Sequence, residues 1–413
     1  MKDIKGCPYH QKLANEFKPF DLSNPFPFYQ KSREEAPIFY NTELKYWVVT
    51  RYADIKEIFT NWKVFLSENA QVPLRPILPK AKAIMEAGDM VNLSGLSGRV
   101  PPDHTRIRRV ASMALTLSRY RKMEPKIRAL AIRMIDDFKT KGEAEIIRAL
   151  AYDLPAFVIF MLLGVPDEDV NQVKSWAESR LLMTWGDLSE DNQVIHAENM
   201  VRYWNYCKYI VSSRKSNPKD DLPPDLVALQ EEGHDISDRE IAGICYSLLF
   251  AGHETTTSLI GNGIRELLAH PKSWEAIRAN PALIPNAVEE ILRYSPSIVT
   301  WRRRSTEEAV IGGVTLPKGA DILLVMASGN RDEAQFPNGE TFDIQRVNAG
   351  QHLSMGAGIH FCIGAPLPKL ELKVVLEELT KRIPNLTLKP NQIFEFPHNT
   401  SFRAPVALHV QWD

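Results

Sequence analysis

The sequence predicts a mainly α-helical protein with small β-sheets. Two observations carry that prediction. Long stretches in the middle of the chain repeat apolar residues at helical spacing, and strand-like runs are few and lie toward the two ends. In chain order, KYWVVTR (45–51) is a short β-rich run and predicts a strand. Residues 66–102 show no clean period; the segment is long for a plain loop and points to a functional one. Between 123 and 138, Ile127, Leu130, Ala131, Met134, Ile135 and Phe138 fall on one helix face. At Ser237 the pattern SDRE opens a long apolar-rich helix, which Pro271 ends. Another helix is expected over 285–294. VIGGVTLPKGADILLVM (310–326) reads as strand, turn, strand, and VALHVQWD (406–413) as a closing strand.

Composition narrows the function. With 44% hydrophobic residues in 413, the chain can bury a core, which excludes wholesale disorder. Lysine plus arginine (50) nearly cancels aspartate plus glutamate (51), so no whole-molecule field favours nucleic acid or an anionic membrane. Cys7, Cys207, Cys245 and Cys362 form no C-x-x-C pair, hence neither a disulfide framework nor a zinc or iron–sulfur ligand set. The start, MKDIKGCPYHQK, lacks the apolar core of a signal peptide, and the longest apolar run, 156–165, is too short to span a bilayer. A soluble, cytoplasmic protein of one domain (1–413) is expected.

The decisive segment is HLSMGAGIHFCIGAPLPKLELKVVLEEL, 352–379. Cys362 lies in a glycine-rich turn, with Gly356 and Gly358 before it, Gly364 after it, and an amphipathic helix following. Glycines permit a tight fold-back and close approach by a flat ligand. Helix N-terminal dipoles favour the thiolate, the form that binds metal. A lone cysteine at such a junction is ordinarily just buried; the pattern G-x-G-x-H-x-C-x-G argues otherwise.

Other segments carry chemistry too. AGHETTT (251–257) puts a mid-helix glycine and three threonines beside an acid, a costly choice for a stable helix. A packing glycine with a bend is the other reading. In EEILRYSP, Glu290 and Arg293 share a helix face, where a carboxylate can hold a guanidinium fork or merely form a solvated pair. FDIQR adds Arg346. Arg106, Arg108 and Arg109 suit a solvated helix face, with His104 one turn from Arg108. His253 reads as an exposed helix residue without a role.

The cysteine segment resembles the haem-binding signature of the cytochrome P450 family, and the other motifs match that family in order from about residue 20 onward. The resemblance implies the P450 fold, with haem b between the central long helix and the cysteine loop. It makes Cys362 the metal ligand, with His360 in the same signature. Ala251 and Gly252 leave room over the iron. Thr255 and Glu254 become the catalytic pair that manages protons for oxygen activation. His104, Arg108 and Arg303 (from TWRRRS) face the haem propionates. Glu290, Arg293 and Arg346 become a buried structural clamp under the cysteine loop.

The implied activity is a haem-thiolate monooxygenase that hydroxylates an organic substrate with one atom of O2. The wider sequence, notably DDLPPDLVALQEEGH and HNTSFRAP, is most like the haem domains of self-sufficient bacterial members, which are fused to a reductase. A peroxide-driven peroxygenase and a non-enzymatic haem-based ligand sensor are the alternatives; the Glu254–Thr255 pair argues against both. Candidate pocket residues are Ser247, Phe250, Ile298, Val299 and Phe402, with 66–102, 181–185 and 400–402. Strand alternation puts Val299 on the side of Arg303, so Val299 should face the pocket. The mostly apolar set suggests a small hydrophobic or aromatic substrate.

No G-x-G-x-x-G follows a strand and no cysteine set can hold a cluster, so electrons must come from a ferredoxin, flavodoxin or reductase domain. No reductase domain is expected within the chain. Basic residues that could receive such a partner are Arg109, Arg119, Arg121, Lys122, Lys369 and Lys373. Two departures stand out. Met355 takes the place where the family usually has phenylalanine, and Pro368–Lys369 stand where alanine and arginine are commoner. Proline at 368 would remove a bond to the Gly364 carbonyl and could kink the helix.

Overall fold

Ser237 caps the longest helix as its sequence demands. Its hydroxyl lies 3.0 Å from Glu240 Oε2, its N–H donates to the same carboxylate at 2.9 Å, and Glu240 N–H donates back to Ser237 Oγ. The helix runs Asp238–Ala269, and Pro271 starts the next one. The computed structural model describes residues 8–413 apart from 91, 92 and 94, with side chains from residue 12, so Cys7 and part of the 66–102 segment lie outside the described residues. More than half of the chain is helical and the sheets are small. No helix among the described residues is long and apolar enough to cross a membrane.

The chain packs as two compact units. The first comprises residues up to Ala70, Asn262–Cys362 and Ile393–Val406. It holds a five-stranded sheet in the order Ile38–Asn41, Tyr46–Val49, Asp321–Leu324, Trp301–Ser305, Phe65–Leu66. Only the Tyr46–Val49 and Asp321–Leu324 pair is parallel. Ile38, Val49, Ile55, Phe59, Phe65, Ile322, Leu324, Phe336 and Leu353 bury the core there.

The stretch expected as strand, turn, strand is instead three strands. Ala309–Ile311 and Val314–Leu316 form a hairpin around Gly312 and Gly313, both at positive φ (52° and 80°), the backbone a two-residue turn of this hand requires. Asp321–Leu324 then leaves for the large sheet.

The second unit comprises Gln71–Gly261, Ile363–Gln392 and Ala407–Asp413. Its helix Leu117–Phe138 starts six residues before the expected 123, because Thr116 caps it by accepting from Arg119 N–H. The six apolar residues expected on one face are all buried, and the helix packs on Pro366–Arg382. Arg128 bridges Glu124, Glu377 and Glu378 across that pair. The segment 66–102 is not without structure: it contains the helix Pro79–Ala87. The closing strand, His409–Gln411, sits between Glu143–Glu145 and Thr387–Leu388. Pro368 introduces no kink. It falls in the first turn of Pro366–Arg382, where a backbone N–H has no intrahelical acceptor to lose.

Candidate active site

In the first unit, the cysteine turn is shaped by backbone rather than side chains. Gly356 and Gly358 adopt φ of 70° and 67°. A Cβ on Gly358 would lie 2.8 Å from the Phe59 carbonyl oxygen, so only glycine fits against that wall. Cys362 N–H donates to the Met355 carbonyl at 2.9 Å and closes the turn. The unusual Met355 therefore contributes here through its backbone, which any residue supplies. Cys362 is exposed, whereas Cys207 and Cys245 are fully buried. Burial pushes the Cys245 thiol up to about 12 and the Cys207 thiol well above its ordinary value. His360, within the signature, places Nε2 3.0 Å from Ser67 Oγ.

Arg303 is a buried cation on the strand Trp301–Ser305. Its side chain is 1% exposed, it donates to the Arg302 carbonyl, and its guanidinium lies 4.9 Å from the Phe59 ring centre. It has no carboxylate partner among the described residues, and burial alone pulls its pKa down to about 9. A cation so placed fits a group that brings its own negative charge, as a haem propionate does. Arg304 instead pairs with Asp321.

Ile298 bridges to Phe402, and Val299 N–H donates to the Ser401 carbonyl at 2.7 Å. Val299 is completely buried, and of these two neighbours Ile298 alone keeps accessible surface. The alternation argument for Val299 fails because the strand begins only at Trp301.

The Glu290–Arg293 pair is buried, not solvated. Both side chains are 0% exposed, joined by two 2.7 Å contacts, with Arg346 Nε 3.4 Å from Glu290 Oε1.

In the second unit, the middle of Asp238–Ala269 departs from the sequence reading at two residues. Gly252 faces Ile159: an added Cβ would lie 2.7 Å from two of its side-chain carbons. Its missing side chain thus serves helix packing, while Ala251 is exposed. His253 is fully buried, with Nε2 3.0 Å from the Tyr152 carbonyl oxygen, and burial pushes its pKa down to about 3.

Glu254 has 18% of its side chain exposed and approaches His253 Nδ1 at 3.4 Å. Its Oε1 has no hydrogen-bond partner among the described residues. Burial first, then the nearby Glu178, raises its carboxyl to about 7, against the lowering effect of Lys174. Glu178 is itself hydrogen-bonded by Tyr152, and Lys174 pairs with Asp153. Thr255 donates to the Ala251 carbonyl at 2.6 Å and stays partly exposed, whereas Thr256 and Thr257 are buried. Of the three threonines, only Thr255 presents surface beside a near-neutral acid.

His104 is buried and Arg108 half-buried, four residues apart on the helix Asp103–Ala114. Their neighbour Arg106 is taken up by Asp103 and Glu240. Phe250 is buried and stacks on Trp185, ring centres 5.8 Å apart at 10°. Ser247 Oγ is buried without a hydrogen-bond partner among the described residues. Sequence reasoning missed Glu178, Lys174 and Arg180 on Val170–Trp185. Arg180 did leave a trace: no acid stands three or four residues from it, so no helical pair could absorb its charge.

Comparison with known proteins is consistent across sequence and structure. The family model described as Cytochrome P450 matches residues 29–393. The 6-deoxyerythronolide B hydroxylase of Saccharopolyspora erythraea is 34% identical over 87% of this chain and 89% of that protein. Among solved structures, cytochrome P450 CREJ in complex with (4-ethylphenyl) dihydrogen phosphate is 48% identical. It superposes with a TM-score of 0.94 over 97% of this chain and 100% of that one. An intact type IV self-sufficient cytochrome P450 monooxygenase is 34% identical, with a TM-score of 0.94, over 100% of this chain and 55% of that one.

Proposed function

The chain belongs to the cytochrome P450 family, an oxidoreductase with haem b as its cofactor, and on that premise we propose that it is a monooxygenase acting on an alkyl-substituted arene with an acidic head group. When bound, haem supplies the iron at which dioxygen is activated by two electrons and two protons, one oxygen atom leaving as water and the other entering the substrate. In this reading Cys362 would supply the thiolate that holds the iron, and Arg303, His104 and Arg108 would hold the propionates. Support for an arene with an acidic head comes from the phosphate ester in the 48% identical structure and from the aromatic stack of Trp185 on Phe250.

The observation that carries the monooxygenase reading is Glu254. A helix-borne carboxyl held near neutrality beside an accessible hydroxyl can give up a proton and be reprotonated at working pH. A sensor or a peroxide-driven enzyme needs no such group. Thr255→Ala is expected to lower the product formed per electron several-fold, with the difference appearing as hydrogen peroxide. Full coupling in that variant would remove Thr255 from proton delivery.

The pH dependence follows from the same group. Because the Glu254 carboxyl is raised to about 7, it is mostly protonated below that pH and mostly ionised above it. Coupling should therefore fall as pH rises through about 7, and Glu254→Gln should flatten that limb. Glu178, Lys174 and His253 are the charged or titratable groups that face it. A limb unchanged in Glu254→Gln would assign the titration elsewhere.

For the electron donor, the structure thins the basic set. Arg119 pairs with Asp225, and Lys373 with Glu124 and Glu377. Arg109, Arg121 and Lys122 are exposed and make no ion pair among the described residues. These three are the proposed contacts for an acidic ferredoxin, flavodoxin or reductase domain. Exposed charges are screened over about 8–10 Å near physiological salt. Arg121→Glu should slow reduction by such a partner at low salt and spare peroxide-supported turnover. Unchanged reduction kinetics at low salt would discount this surface.

A further inference from the structure

The helix Val170–Trp185 carries Arg180 with only 5% of its surface exposed. Burying a guanidinium strips its hydration, and the loss is ordinarily offset by an anion. Arg180 has no ion-pair partner among the described residues. Instead, Nη1 donates to the Tyr246 carbonyl at 3.1 Å and Nη2 to the Gln71 side-chain carbonyl. Its guanidinium carbon also lies 4.6 Å from the Tyr246 ring centre and 5.2 Å from that of Phe250. Neutral oxygens and ring faces offset only part of a full charge.

A second observation stands beside it. Ser247, the residue after Tyr246, has its hydroxyl buried without a partner among the described residues. Gly95 packs against Ser247 and Gln71: a Cβ there would lie 2.4 Å from Ser247 Oγ and 3.5 Å from Gln71 Oε1, the oxygen that accepts from Arg180. Gln71 is itself steered by its amide, which donates to Ser97 Oγ. A cation short of an anion and a hydroxyl short of an acceptor are therefore tied to one another through Gln71 and the Gly95 backbone. The stacked Trp185–Phe250 pair, with Arg180 over Phe250, puts a flat apolar surface next to this polar end.

We propose that Arg180, positioned by Gln71, and Ser247, approached closely by the Gly95 backbone, form the subsite that binds the oxyanion head of the substrate, an aryl phosphate monoester. The assignment rests on the substrate reading above and deepens it by naming the residues that enforce it. Charge-assisted bonds from the guanidinium and a hydroxyl donor suit phosphate oxygens, while the aromatic stack meets the ring. Arg180 acts on specificity, not on the chemical step.

The test titrates the haem-loaded protein with 4-ethylphenyl phosphate, 4-ethylphenol and 4-ethylbenzoate, reading affinity from the haem spin-state shift. The wild-type protein should prefer the phosphate to the phenol. In Arg180→Gln that preference should shrink by about ten-fold or more, since a hydrogen-bonded charge is removed. Arg180→Lys should lose less and Ser247→Ala should lose part. The carbon-monoxide spectrum of each variant confirms a loaded haem protein. If the wild type shows no preference for the phosphate, the substrate reading fails first. If it does and Arg180→Gln keeps that preference, the reading survives and this subsite is overturned. Equal or tighter binding of the benzoate would overturn the phosphate assignment. Should Arg180→Gln load no haem, Arg180→Lys and Ser247→Ala decide, and an unchanged preference in both overturns the proposal.

Discussion

A Cys362→Ala protein is expected to lose the strongly red-shifted Soret band of the reduced, carbon-monoxide-bound form and to retain haem poorly. No other described cysteine can substitute. Cys207 and Cys245 are completely buried with their thiols pushed well up, so neither forms a thiolate at working pH. The backbone of the turn should survive, because Gly356, Gly358 and the Met355 carbonyl define it without the sulfur. The substitution should therefore separate ligation from folding. Circular dichroism should remain helical while melting temperature falls, since a ligand bound only to the folded state stabilises it by mass action. An intact red-shifted band would assign the thiolate ligand to another residue and remove Cys362 from the proposed site.

The second large effect is expected at the buried clamp. Arg293 does more than pair with Glu290. Its Nη1 donates to the carbonyls of Asn330 and Gly339 at 2.8 Å each, and its Nη2 to Thr341 at 3.0 Å. Glu290 Oε1 also accepts from Asp343 N–H at 2.8 Å. The connection to the cysteine loop runs through Asn330. Its side chain accepts from Leu353 N–H at 2.7 Å and donates to Ser354 Oγ at 2.8 Å, and Ser354 donates to the Leu292 carbonyl.

Removing one partner leaves a buried charge uncompensated, at a cost of about 3–5 kcal/mol. Typical stabilities are only about 5–15 kcal/mol, so Glu290→Gln should give little folded, haem-containing protein. Arg293→Lys should fail similarly, because an ammonium cannot span a carboxylate and three carbonyls as a planar fork does. The measurement is haem absorbance per protein together with the melting temperature. Normal values in both variants would mean that the clamp carries no such load.

Much of the site was legible as sequence because its signals are local. The Ser237–Glu240 cap, the Met355–Cys362 turn and the Glu290–Arg293 pair each act within a few residues, so spacing alone identifies the partners. The same locality explains the readings that failed. Val299 was assigned a face by alternation, but the strand starts two residues later. Of the two readings open for Gly252, the packing one is supported by its close approach to Ile159 from another helix, a contact that spacing does not record. Pro368 looked like a helix breaker until the helix start at Pro366 placed it in the tolerant first turn.

By itself, then, the sequence determined the helix-rich class, the order of the family's motifs and the identity of the cysteine turn, since backbone conformation and capping depend on near neighbours. Only the tertiary structure decided which polar groups lose water and which charges meet an opposite. Glu254 is near neutrality because burial and Glu178, carried on a different helix, disfavour its charge. His253 is sealed against Tyr152 instead of facing solvent. Arg119 and Lys373 are paired while Arg121 is not. Arg180 is left with neutral partners in the interior. Desolvation and charge balance are set by side chains far apart in the chain, and no periodicity or motif records where those side chains will meet.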